Sequence, residues 1–223
     1  MRGRFITFEG GEGTGKSTQA SLLAERLQNW GYHAIVTREP GGSPGAEIIR
    51  HVLLSGAAKP LGSNAEAILF AAARDDHLSQ TIRPALESDR WVICDRYSDS
   101  TRVYQGVLGN VDTRLIRALE RVVIGESKPD LTLILDMPAQ AGLSRASRRR
   151  GSMAPDRYEA EAVEFHEELR ASYHQLASQE PDRCVLIDAT GSRDDVAEVV
   201  WDTVTERLQP RKRVRIMTEE YSS

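Results

Sequence analysis

The stretch GGEGTGKST, residues 10–18, follows the apolar run RFITFE (residues 4–9) and precedes a segment with helical spacing. Gly10, four intervening residues, Gly15, Lys16 and Ser17 make the pattern G-x-x-x-x-G-K-[ST]. Between a strand and a helix, this pattern builds a loop whose backbone N–H groups cradle phosphates. Lys16 neutralises the outer phosphates, and the Ser17 hydroxyl is placed to ligate Mg²⁺. One residue looks out of place: Glu12 puts a carboxylate in the middle of a loop made to attract anions.

Working outward, four more β-type runs follow: HAIVT (33–37), WVICD (91–95), LTLILD (131–136) and CVLID (184–188). All are almost continuously apolar, as strands buried on both faces must be. Leu23, Leu27 and Trp30 recur at i, i+4, i+7 after the Gly loop. Leu115, Ile116, Leu119, Val122 and Val123 repeat that helical spacing before the breaker stretch GESKPD. Strands alternating with helices predict a three-layer α/β/α P-loop NTPase fold with a five-stranded parallel sheet. The domain is expected over residues 1–209, with an arginine-rich insert at about 145–158 whose densest part is SRRRGSMAPDRY (147–158). Residues 210–223 read as a tail, first basic and then acidic, and flexible.

A chain of 223 residues with 40% hydrophobic and 28% charged residues supports one sizeable domain. A net charge of −4 argues against a general nucleic-acid binder, and the basic cluster PRKRVR (210–215) reads as solvated tail. No segment approaches the roughly 18 apolar residues of a membrane span. The basic start MRGRFITFEG lacks a signal-peptide core, so a cytoplasmic location is expected. Cys94 and Cys184 lie inside strand runs and read as small buried thiols. HEELR (166–170) begins like a zinc-protease motif but carries Arg170 at the second metal position, which excludes zinc there.

A P-loop specifies nucleotide binding and leaves the reaction open. A GTP-binding switch needs D-x-x-G after its third strand and a late N-K-x-D. Here DATG (188–191) follows the last strand, and SKPD (127–130) lacks the Asn. A motor ATPase needs more chain and an acidic residue after WVICD, where this sequence has Arg96. A small-molecule kinase fits best, because TREPGG (37–42) and CDRY (94–97) put arginines at consecutive strand carboxyl ends, where open α/β sheets bind ligands. Arg38 and Arg96 present planar forks suited to phosphate, and Asp95 can hold Mg²⁺ through water.

These segments, with AILFAAARDDHL, CDRYSDSTRVYQG, KPDLTLILD, the DRYE segment and LIDAT, resemble the bacterial thymidylate kinases over residues 1–208. The resemblance implies phosphorylation of dTMP to dTDP with ATP and Mg²⁺, a step toward dTTP, in a homodimer. The apolar face of residues 65–73 is a candidate for its interface. It assigns the donor site to Gly10, Gly11, Glu12, Gly13, Thr14, Gly15, Lys16, Ser17 and Thr18, and the metal to Ser17 and Asp95. The acceptor site it implies comprises Glu12, Arg38, Phe70, Arg74, Arg96, Ser100, Thr101, Tyr104 and Gln105. In it Phe70 stacks on thymine, Arg74 bonds the base, Arg96 clamps the phosphate, Thr101 and Gln105 meet the base edge, and Tyr104 crowds the sugar 2′ position. Phe70 and Arg74, four apart, share one helix face.

The same resemblance makes the insert a lid. From Arg145, Arg148, Arg149, Arg150 and Arg157 the candidates are Arg149 or Arg150 together with Arg157, which join Lys16 and Arg96 as the catalytic set. Several departures stand out. The lid text between RRRG and DRYE is long, VLGN replaces a Gly-Arg-Gly after YQG, Val103 replaces a common Ala, and Asp76 replaces a frequent Gln beside the base site. Glu12 finds a role in this pattern: an acidic loop residue that faces the acceptor accepts a hydrogen bond from its 3′-hydroxyl.

Overall fold

The computed structural model describes residues 3–152, 154, 155 and 157–212. The second half of the basic cluster and the acidic end of the chain therefore lie outside the described residues. The five runs form β1 (Phe5–Gly10), β2 (Ala34–Arg38), β3 (Trp91–Asp95), β4 (Leu131–Asp136) and β5 (Cys184–Asp188). All pair in parallel in the order β2-β3-β1-β4-β5. β1 and β2 each sit one residue later than the sequence suggests, because the ladder continues to Gly10, which pairs with Leu135, and to Arg38, which pairs with Asp95.

The order jumps on either side of β1, so the crevice at its carboxyl end is the topological switch point of the sheet. Into that crevice run the loop after β1, the loop after β2 and the loop after β3.

Alternation along β1 divides the core. Ile6 and Phe8 pack under α1 (Lys16–Asn29) and α9 (Arg193–Leu208), with Leu23, Leu27, Trp201 and Val204. Phe5, Thr7 and Glu9 face the other layer. There Phe5 packs with Tyr97, Leu78 and Ile82, and the Thr7 hydroxyl meets that of Thr132 at 2.8 Å. This second layer contains α3 (Gly62–His77), which runs through a π-helical segment (Leu78–Ile82) into α4 (Arg83–Glu87). It also holds α5 (Ser98–Thr101), a further π-helical run (Arg102–Leu108) and α8 (Val163–Gln179).

α2 (Pro44–Leu54) and α6 (Thr113–Val123) flank α3. In α6 Ile116 and Val123 enter the core as their spacing predicts, but Val122 is 78% exposed. It is the one apolar residue of that set on the outer face of the helix. α7 (Ala139–Arg150) carries Arg145–Arg150 as helix, so the irregular part of the insert begins at Gly151. At the far end, Tyr32 exchanges hydrogen bonds with the backbone of Arg211, both at 2.8 Å. Both cysteines are buried and free, and among the described residues no helix is long and apolar enough to cross a membrane.

Candidate active site

The loop after β1 takes its shape from glycine. Gly10, Gly13 and Gly15 have φ of 126°, 70° and 96°, and such left-handed turns aim successive N–H groups toward a common centre. Close approach adds a second demand. A Cβ at Gly10 would lie 2.3 Å from the Leu135 carbonyl oxygen, and one at Gly13 would lie 1.9 Å from that of Gly142. The loop is thus wedged between β4 and α7 and cannot accept side chains at either point.

Lys16 opens α1 and folds over the loop, donating to the carbonyls of Gly10 at 3.1 Å and Gly11 at 2.6 Å. Burial and the nearby Arg96 pull its pKa down to about 8, against the opposing pull of Glu12. Ser17 donates to the Asp95 carboxylate at the end of β3. These two hard oxygen donors sit side by side on the cavity wall, which suits Mg²⁺, an ion that takes one or two protein oxygens and keeps its waters. Thr14 donates to the Gly11 carbonyl at 3.0 Å. Gly10, Gly11 and Thr14 line a small adjoining recess, while Thr18 is exposed on α1.

A cavity of about 220 Å³ extends from this loop. Glu12, Gly13, Gly15, Lys16 and Ser17 form one end of its wall, and Phe70, Thr101, Tyr104 and Gln105 are among the residues that complete it. Arg38, Asp95, Arg96 and Ser100 also line it, so the strand-end residues converge there.

Arg96 sits among them with a positive φ of 68°, a conformation that costs a non-glycine residue roughly 1–2 kcal/mol. Its N–H donates to the Phe8 carbonyl at 2.8 Å, and its guanidinium bonds Glu12, bonds the Ser100 hydroxyl at 3.3 Å and lies 5.1 Å from the Tyr104 ring centre. Glu12 therefore does not repel anions from the loop. Burial alone would raise its pKa, but Arg96, Lys16 and the Tyr104 hydroxyl, donating at 3.0 Å, hold it down at about 2. It stays a carboxylate, and it ties the phosphate loop to the opposite wall.

Arg74, expected at the base itself, is buried behind the wall. It donates to Glu39 at 2.7 Å and to the Tyr97 carbonyl and Thr101 hydroxyl at 3.1 Å each. Glu39 also meets His77 at 3.0 Å. Asp76 turns away from the site and caps α2, accepting from Ser43 at 2.6 Å and from the Ala46 N–H at 3.0 Å.

Of the three arginines selected from the lid, Arg149 lines the cavity, 3.6 Å from Glu159. Arg150 bonds Glu159 at 2.6 Å, and Arg157 pairs with the buried Glu66 of α3 while lying over the Tyr158 ring. Sequence reasoning missed Glu159 and Glu66, which hold these cations, and two further residues at the cavity, Glu39 and Tyr158. Glu39, Tyr158 and Glu159 all line the cavity. They stood in TREPGG and DRYE, motifs already quoted, where acidic residues beside arginines were the available signal. Gln105 donates to the Tyr158 hydroxyl at 2.8 Å and so joins the lid to the acceptor wall.

The thymidylate kinase family model matches residues 8–200. The chain is 63% identical over 207 residues to the thymidylate kinase of Nitrobacter winogradskyi, covering 93% of this chain and 90% of that one. It is 60% identical over 207 residues to that of Bradyrhizobium sp. strain ORS 278, covering 93% and 92%. The crystal structure of thymidylate kinase from Ehrlichia chaffeensis superposes with a TM-score of 0.74 at 32% identity, covering 92% of this chain and all of that one. A P-loop at the switch point, a second wall facing it across one cavity and matches over most of the chain agree: this chain belongs to the thymidylate kinase family.

Proposed function

We propose that the chain transfers the γ-phosphoryl group of ATP, bound as its Mg²⁺ complex, to the phosphate of dTMP, giving dTDP for dTTP synthesis. The observation that carries this reading is the single cavity shared by the phosphate loop and the wall containing Phe70, Arg96, Tyr104 and Gln105. Donor and acceptor phosphates then meet between Lys16 and Arg96.

The acceptor is already an anionic oxygen, so positioning and charge neutralisation supply most of the catalysis. The loop from Gly10 to Thr18 holds the donor phosphates, and Lys16 tracks the transferred group. Ser17 and Asp95 would hold Mg²⁺, which would supply positive charge to neutralise the phosphates. On the acceptor side Arg96 and Arg38 clamp the phosphate, and Ser100 supports Arg96. Glu12 accepts from the 3′-hydroxyl, Phe70 stacks on thymine, and Thr101 and Gln105 read the base edge. Arg74 serves the base end by fixing Thr101 and Glu39. Tyr104, held by Glu12 and Arg96, blocks the 2′ position and favours deoxyribose. From the lid, Arg149 approaches the transferred group first, with Arg150 and Arg157 held in reserve on Glu159 and Glu66, and closure excludes water.

The working form is a homodimer. Ile48 and Val52 of α2, Ile68 of α3 and Val122 of α6 are exposed on three adjacent helices, an apolar surface suited to a second copy. A cytoplasmic location suits an enzyme of nucleotide supply. Turnover with a panel of nucleoside monophosphates tests the substrate assignment: dTMP must be the best acceptor, and preference for another base would overturn it.

A further inference from the structure

β1 carries one buried carboxyl that no step above uses. Glu9 is wholly inaccessible and does not line the cavity. The two-residue period of the strand points it toward α5 and α8, where four donors close on it. Its Oε1 accepts from the Tyr97 N–H at 2.8 Å and the Ser100 N–H at 3.3 Å. Its Oε2 accepts from the Ser100 hydroxyl at 2.7 Å and the Tyr173 hydroxyl at 2.8 Å. Arg96 is bracketed as a result: its own N–H is held by the Phe8 carbonyl, and the next N–H along is held by Glu9. Two consecutive residues of β1 thus keep Arg96 in its left-handed conformation, which an unsupported loop would relax.

We propose that Glu9 is a positioning residue for the acceptor: its clasp on Tyr97 and Ser100 sets the direction in which Arg96 and the Ser100 hydroxyl enter the cleft. Glu9 itself touches no substrate. The inference rests on the reading that Arg96 takes the acceptor phosphate.

The clasp also responds to charge. Burial raises the Glu9 pKa to about 7, with Asp99 adding to the rise and Arg96, Ser100 and Tyr97 opposing it. Tyr173 bonds it from α8, and Lys16 at the start of α1, Arg74, Cys94 and Cys184 interact with it electrostatically. A phosphate dianion docked on Arg96 adds like charge near Glu9 and favours its protonated form. At pH 7.5 the acceptor phosphate, with a second pKa of about 6, is already mostly dianion. A proton taken up on binding at that pH therefore goes to the protein.

The test uses three variants in the full chain. Glu9→Ala removes the clasp and should raise KM for dTMP at least about tenfold, with KM for ATP moving less than about threefold. Glu9→Gln keeps an oxygen for the two fixed N–H donors, while the Ser100 and Tyr173 hydroxyls rotate to accept from its amide. It should hold KM for dTMP within about threefold of the parent chain. Should Glu9→Ala fail to fold, Tyr173→Phe removes one donor to Oε2 and should raise KM for dTMP by about two- to fivefold. Calorimetry of dTMP binding at pH 7.5, in buffers of different ionisation enthalpy, should show clearly more proton uptake in the parent chain than in Glu9→Gln, where only Lys16, with a pKa of about 8, takes up a fraction of a proton. Equal KM changes for both substrates in Glu9→Ala, Glu9→Gln as impaired as Glu9→Ala, an unchanged Tyr173→Phe, or equal proton uptake in the parent chain and Glu9→Gln would each overturn the inference. A parent chain that prefers another acceptor would instead overturn the function proposed above.

Discussion

Arg96→Ala removes the cation on which the acceptor wall is built. The side chain is held by Glu12, by the Ser100 hydroxyl at 3.3 Å and over the Tyr104 ring at 5.1 Å, so its fork enters the cleft already oriented. A phosphate on that fork gains two charge-assisted hydrogen bonds worth about 1.5–3 kcal/mol each. Their loss amounts to about 3–6 kcal/mol, a fall in kcat/KM for dTMP of roughly 10²–10⁴-fold. The ATP side depends on the phosphate loop and Lys16, so KM for ATP should move by less than about threefold. Arg96→Lys keeps the charge without the fork and should lose about tenfold in kcat/KM for dTMP. The variants should remain folded, because the backbone strain at residue 96 is the same for Arg, Lys and Ala and Lys16 and the Tyr104 hydroxyl still face Glu12; an unfolding transition close to that of the parent chain checks this. Steady-state ADP release, with each substrate varied at saturation of the other, measures both constants. A parallel rise in both KM values, or a loss for dTMP below about fivefold, would refute the clamp.

Two other outcomes follow from the same geometry. Glu12 has a folded pKa of about 2, below its ordinary 4.5. It contributes stability that is present above pH 4.5 and lost as pH falls toward 2, about 3 kcal/mol in all and about 1–1.5 kcal/mol between pH 7 and pH 3.5. Urea unfolding at those two pH values should show this loss, and Glu12→Gln should show correspondingly less. If the slopes are the same, the Glu12–Arg96–Lys16 cluster is not what holds the carboxylate ionised. On the outer surface, Ile68→Glu and Val122→Glu should convert a sedimenting species of twice the 24.8 kDa chain mass to one of that mass. Dimers that persist in both variants would place the interface elsewhere.

The shape of the phosphate loop was legible, because it depends on glycine spacing and one lysine that are contiguous in the chain, whereas Thr18, counted with it, is exposed on α1. The strands were legible from their apolar runs, and the convergence of Arg38, Asp95 and Arg96 followed from strand ends in a parallel sheet. Arginine pairing was not legible. Arg74 binds Glu39 across 35 positions, and Arg157 meets Glu66 from a different element. Which of 33 acidic residues pairs with either arginine cannot be chosen until the fold is known, even where, as at Glu39, the motif marks the carboxylate as part of the site. The lid register failed to emerge for a related reason: Arg148–Arg150 fall in the insert read as a lid, yet they complete α7. Glu9 was hidden by its context, a single carboxyl at the end of an apolar strand whose meaning lies in the N–H groups of residues 97 and 100. Glu12, which seemed to oppose the loop around it, is the residue that joins the loop to the acceptor wall.

The central claim is that the cavity selects dTMP as acceptor. Its most direct measurement is internal competition: dTMP, dUMP, dCMP, dAMP and dGMP at equal concentration with limiting MgATP, and the diphosphates resolved by chromatography. Product ratios then give relative kcat/KM in a single tube. dTDP should predominate, with dUDP next because dUMP lacks only the 5-methyl group, worth about 1–3 kcal/mol in an apolar pocket. A purine or cytosine diphosphate in excess of dTDP would contradict the account.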